Sequence, residues 1–132
     1  MNKKKATRMT LEDLINAKLK REQDKLVVKE IEIPSLGKTL LFRRPTREEI
    51  CSFMDQMGQD TETEELIEGY QELIYNCCDQ LHDKEVIENM GVENPVMVVP
   101  AIMDDADILK VGDEVAKLNP LYGTYADEEK NS

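Results

Sequence analysis

Apolar positions first fall into register at Leu11. Leu11, Leu14, Ile15 and Leu19 recur at the spacing of one helical face, which predicts an amphipathic helix. Thr10 precedes the run and Asp13 lies three positions on, a weak capping box; Lys18, Lys20, Arg21 and Lys25 crowd the far end, where cations complement the helix dipole. The helix is expected to end near Asp24. The period then drops to two. Val27, Ile31 and Ile33 fall on one face of a strand and Glu30 and Glu32 on the other, Pro34-Ser35-Leu36-Gly37 reads as a turn, and Leu40 and Phe42 share the inward face of a return strand from Lys38 to Arg44, so the segment is a β-hairpin.

Helical spacing returns after Pro45. Thr46 and Glu49 form a capping box, Ile50, Phe53, Met54 and Met57 make an i, i+3, i+4, i+7 stripe, and Gly58 is placed to close the helix. Thr61 is the expected cap of the longest helix, whose apolar positions run through Leu66, Tyr70, Leu73, Cys77 and Leu81, widened by Ile67, Ile74 and Cys78. A short helix from Glu85 to Met90 ends at Gly91. Asn94-Pro95 reads as a cap followed by Pro at the first helical position. Val96 to Val99 then suit a short helix better than a strand, with Pro100 expected to kink or end it. Ile108, Val111, Val115 and Leu118 continue at helical spacing, with Gly112 as a possible break and Asn119-Pro120 as the stop. The predicted fold is α+β, mainly α: an N-terminal helix, one β-hairpin, then a bundle of three to five helices.

A chain of 132 residues suits one domain with an aliphatic core, since aromatics make up 5% and Trp is absent. The expected boundaries are a flexible basic arm over 1–9, a globular domain over 10–121 and an acidic tail over 122–132. Charge divides the chain unevenly. Residues 1–44 hold twelve Lys or Arg and six acids; residues 45–132 hold five and twenty-two. An overall charge of −11 argues against a nucleic-acid-binding domain, and leaves the basic N-terminal region as the rival reading of a small nucleic-acid-associated regulator. No apolar run is long enough to span a membrane and no signal-peptide core follows the early lysines. The expected location is the cytoplasm, in keeping with three cysteines that form no disulfide framework.

Catalytic parts are scarce. Cys78 precedes the lone histidine, His82, by four residues, a spacing that would set a thiol beside an imidazole on one helix face. The same cysteines continue apolar stripes, where Cys behaves as a small hydrophobe. A metal site would need Cys51 brought alongside Cys77, Cys78 and His82, without any C-x-x-C spacing. Asp104, Asp105 and Asp107 lack the alternation of a calcium loop and read as a solvated helix start. No phosphate-binding glycine motif occurs. The sequence is therefore read as non-catalytic, without cofactor or metal.

The run TLEDLINAKLKREQDK followed by KEIEIPSLGKTLLFRRPTREEI resembles the XkdN-like phage tail assembly chaperones. The likeness lies in the "LEDLI…K" helix at Leu11 to Lys18, the "I-P-S-L-G-K-x-L" hairpin at Ile33 to Leu40, the "P-[ST]-R-E-E" helix start at Pro45 to Glu49, and "L-I-Y" at Leu73 to Tyr75. It covers about the first 80 residues. These motifs shape a fold and carry no catalytic residue. The resemblance implies a non-catalytic assembly chaperone in the cytoplasm of a bacterial host that binds the tape-measure protein, assists addition of tail tube protein and is absent from the finished particle; the uneven division of charge offers self-association as a further expectation, the basic part of one copy facing the acidic part of another. Such a role calls for an adaptable apolar groove. The seven methionines suggest what lines it, and Met54, Met57, Met90, Met97 and Met103 are the candidates, with the acidic remainder of the chain available to meet basic patches on a partner.

Overall fold

A computed structural model describes residues 6–58 and 60–123. The expectations for the basic arm over 1–5 and for the acidic tail beyond 123 fall outside those residues. Residues 6–10 are exposed and have no regular secondary structure.

The elements run α1 (Leu11–Asp24), β1 (Val28–Ile33), β2 (Lys38–Arg43), α2 (Arg47–Gln56), α3 (Thr63–Cys77), a 3-10 segment (Asp79–His82), α4 (Lys84–Met90), a second 3-10 segment (Pro95–Met97), α5 (Val98–Ile102) and α6 (Asp105–Lys117). A further helical turn begins at Pro120. The α+β, mainly α architecture is the one the residue pattern predicts.

Local chemistry accounts for the helix starts. Thr10 accepts from the Asp13 amide (3.1 Å) while the Asp13 carboxylate accepts from the Thr10 amide (2.9 Å), and Thr46 and Glu49 repeat the reciprocal box. Each such cap contributes about 1 kcal/mol. A third box joins Asp104 and Asp107. Asn94 caps Pro95–Met97 by accepting from Val96, and Pro100 falls in the first turn of α5, where a missing N–H is tolerated. Gly91 ends α4 at φ 63°, the left-handed conformation that glycine adopts without strain.

Several expectations are corrected. Thr61 does not cap α3. Glu62 holds that position without a side-chain bond, and the Thr61 hydroxyl accepts from the Gly58 amide at 2.6 Å instead. The long helix stops at Cys77; Cys78 is extended and Leu81 reaches the core from a 3-10 turn. Gly112 does not break α6. It lets α6 pack on α3, because a Cβ there would lie 2.3 Å from Cγ of Tyr70. Tyr122, at the first position of the expected tail, packs against the core and sets its hydroxyl 2.9 Å from that of Tyr70 and 3.2 Å from Asp113.

The core is mainly aliphatic, with Phe42, Phe53 and Tyr70 as its buried aromatic members. Ile31, Ile33 and Phe42 from the hairpin meet Ile50 and Phe53 of α2, Leu73 and Ile74 of α3, Val98 and Val99 of α5, and Ile108, Val111 and Val115 of α6. The hairpin pairs antiparallel with Ile31 opposite Leu40 and Lys29 opposite Phe42, so its apolar face lies on the helices while Glu30 and Glu32 face solvent. Three polar ties join distant segments. The Arg43 guanidinium grips both oxygens of Glu49 (2.7 and 2.9 Å) and donates to the Asn76 carbonyl (2.7 Å). Asn119 donates to the Pro45 carbonyl at 3.2 Å. Asp107, expected to be solvated, is 2% exposed and accepts from both the amide and the hydroxyl of Ser35 at the hairpin tip.

The first helix is the exception to this packing. α1 buries none of its residues. Leu11, Leu14, Ile15 and Leu19, the apolar face of the predicted amphipathic helix, are between 51% and 74% exposed. The helix meets the body at its C-terminal end, where Arg44 donates to the Asp24 carbonyl (3.3 Å).

Candidate functional site

The outer face of α3 is an acidic ridge between two grooves. Glu65, Glu68 and Glu72 lie three and four residues apart on one face, all exposed. Gly69 beneath them allows a close approach from α2: a Cβ there would lie 2.7 Å from Cε of Met57 and 3.2 Å from Phe53. On the α2 side, Met57 and Gln56 face Glu65, Glu68 and Glu72 across a groove of about 330 Å³. On the other side the 3-10 segment Pro95–Met97 faces Glu68, Gln71, Glu72 and Tyr75 across a wider groove of about 620 Å³. The Gln71 amide reaches Sδ of Met97 at 3.9 Å. Glu72 borders both grooves, and also a smaller one that runs between α2 and α3 past Glu48 and Ser52.

The sequence sets the sign of this surface. From Glu48 to Asp83 there are eleven acids and no Lys or Arg. Arg43 approaches the ridge at Asn76, but its guanidinium is held by Glu49. That bond raises the Arg43 pKa and lowers that of Glu49, so the pair stays charged and locked. The ridge therefore presents fixed negative charge beside apolar surface from Met57, Tyr75, Val96 and Met97.

The five candidate methionines do not share one groove. Met57 and Met97 flank the α3 ridge on opposite sides. Met54 is half-buried against the core and Met90 is exposed on α4. Met103 is a correction: it is 3% exposed and belongs to the core. It stands just before the Asp104 cap, with Ile108 four positions into the helix, the two positions of a hydrophobic staple. That pattern is visible in the sequence and identifies Met103 as interior. Sequence reasoning did not pick out Glu68 and Glu72, whose face becomes a ridge only once α2 and the Pro95–Met97 segment pack on either side.

The thiol–imidazole pair takes another form. Cys77 and Cys78 are buried, and burial pushes the Cys77 thiol up to about 12 and Cys78 upward as well. A nucleophilic thiolate needs the opposite shift. Nε2 of His82 hydrogen-bonds the Tyr75 carbonyl at 2.7 Å and its ring lies against Tyr75, which ties the 3-10 turn to the end of α3. Among the described residues no group of three or more His, Cys, Asp or Glu side chains is placed to hold a metal ion, and no helix is long and apolar enough to cross a membrane.

No protein-family model, curated protein or solved structure matches the chain.

Proposed function

We propose that the protein is a tail assembly chaperone of a phage or prophage, which holds helical segments of the tape-measure protein on the α3 ridge and its flanking grooves. The observation that carries this reading is the ridge itself: Glu65, Glu68 and Glu72 beside Met57 on one side and Tyr75 and Met97 on the other. An amphipathic helix with basic flanks fits such a surface, its apolar stripe on the methionines and its cations over the carboxylates. Methionine adapts to unlike side chains, which suits a client offering many similar helical faces. The resemblance of residues 10–80 to XkdN-like proteins supplies the client. The role is transient and non-catalytic, in the host cytoplasm, with the chaperone released as tail tube subunits add.

The contact is electrostatically steered and reversible. Binding of tape-measure fragments is expected to weaken steeply between about 50 mM and about 300 mM salt as screening shortens the reach of the ridge charges. Glu68→Lys with Glu72→Lys, both exposed, is expected to remove binding without unfolding the protein. Binding that ignores both salt and this double variant would reject the ridge as the client site. Salt-sensitive binding to DNA in place of the tape-measure protein would favour the nucleic-acid reading instead.

A further inference from the structure

We propose that a basic groove between the end of α1, the open end of the hairpin and the end of α6 is a carboxylate-binding site, and that the acidic residues Asp127, Glu128 and Glu129 of the same chain occupy it. The groove measures about 350 Å³, and three cations line it: Arg21, Lys25 and Arg44. Arg21 is ion-paired with Asp24 (3.2 Å), the one acid of the lining. Arg44 donates to the Asp24 main-chain carbonyl (3.3 Å), which leaves its charge unmatched. Among the described residues no carboxylate pairs with Lys25 or Arg44. The lining thus carries two uncompensated positive charges in a chain of net charge −11. By contrast, the grooves beside α3 are lined by no Lys or Arg.

Chain connectivity and charge select the occupant. Leu118 and Pro120 line the groove, and the described chain ends at Gly123, three residues past Pro120. Asp127 follows Gly123 by four residues, a tether of about 13 Å when extended. So short a tether holds the three carboxylates near the groove at a local concentration on the order of millimolar. The acidic face of α3 repels them and the groove attracts them. Val27, Leu118 and Pro120 give the groove apolar surface as well, and Tyr125, two residues before Asp127, supplies an aromatic group to cover it. The groove shares no residue with those flanking the α3 ridge, so this inference stands independently of the client site.

Amide NMR spectra and zero-length carbodiimide cross-linking of the full chain test it. Asp127→Asn with Glu128→Gln and Glu129→Gln changes no residue of the described fold. This triple variant is expected to move the amide signals of Lys25, Val27 and Arg44 and to leave those of Gln71 and Glu72 in place. In a Lys25→Glu background the same neutralisation should move Val27 and Arg44 far less. Cross-linking is expected to join Lys25 to the three acids in preference to Lys38 and Lys84, and to fade at about 0.5 M salt. In an equal mixture of ¹⁵N-labelled and unlabelled chains, both halves of each cross-link should carry the same isotope. Inorganic phosphate, titrated as a competing anion, should bind the groove about threefold more weakly in the parent than in the triple variant. Groove signals that ignore the triple variant, cross-links of mixed isotope, or equal phosphate binding by the two proteins would overturn the proposal. None of these results depends on the tape-measure protein, so the failure of either proposal leaves the other legible.

Discussion

The hydroxyl of Ser35 donates to the carboxylate of Asp107, 72 residues away, and pins the hairpin tip to the start of α6. The Ser35 amide donates to the same group (3.1 Å), and so does the Asp104 amide (3.2 Å). Asp107 is thus the third residue of a helix cap and a clasp between the two ends of the fold. A buried carboxylate needs such a set of donors to remain charged.

The clasp has a pH signature. The Ser35 hydrogen bond, ahead of the other contacts, lowers the Asp107 pKa, and Arg43 lowers that of Glu49. Both folded-state values lie below the unfolded ones, so the stabilisation is complete above about pH 4–5 and fades as pH falls through the folded values. Thermal midpoints recorded from about pH 2 to pH 7 should therefore drop at the acid end. Asp107→Asn should lower the midpoint at neutral pH and flatten the acid limb. An unchanged limb would mean that the clasp is not charged.

Gly112 and Gly58 give opposite expectations for the same substitution. A Cβ at Gly112 meets the base of the Tyr70 ring, which cannot swing aside, whereas nothing lies within 4 Å of one at Gly58. Gly112→Ala should cost about 1–3 kcal/mol net of any gain in helix propensity. Gly58→Ala should be neutral or slightly stabilising. Urea unfolding of the two variants measures both; similar stabilities would contradict the close approach of α3 and α6.

Arg43 satisfies the Asn76 carbonyl as well as Glu49. Its removal leaves a carbonyl at the end of α3 and a partly buried carboxylate without their donor. Arg43→Ala is expected to destabilise the fold by about 1–3 kcal/mol, and Arg43→Lys to recover only part of this because an ammonium cannot bridge both oxygens. Full recovery by Lys would show that charge alone matters there.

The cysteines should separate by accessibility. Cys51 is partly exposed, while Cys77 and Cys78 are buried and their thiols are held protonated by that burial. Alkylation of the native protein should modify Cys51 and spare the other two until denaturant is added. Rapid labelling of Cys78 would revive the thiol-enzyme reading.

What the sequence made legible was local. Thr10, Thr46, Asn94-Pro95 and Gly91 each act within one turn of the backbone, and each marks its helix end as its chemistry requires. The hairpin was readable because period-two alternation and Pro34-Ser35-Leu36-Gly37 agree. Cys78 was not, since apolar spacing continues through the 3-10 turn after the helix has ended. Asp107 was misread because its partner lies at the far end of the chain. The exposed stripe of α1 has the same periodicity as the buried stripes of α3 and α6; periodicity identifies an apolar face but not what covers it. The α3 ridge needed the fold, although the absence of Lys and Arg from Glu48 to Asp83 was already a sequence fact.

The most direct measurement is the soluble fraction of the tape-measure protein when it is co-expressed with this chain. The soluble fraction is expected to rise with the parent chain, the two proteins to co-purify, and Glu68→Lys with Glu72→Lys to abolish the rise while the chain itself stays folded. A tape-measure protein equally insoluble with and without the parent chain would contradict it.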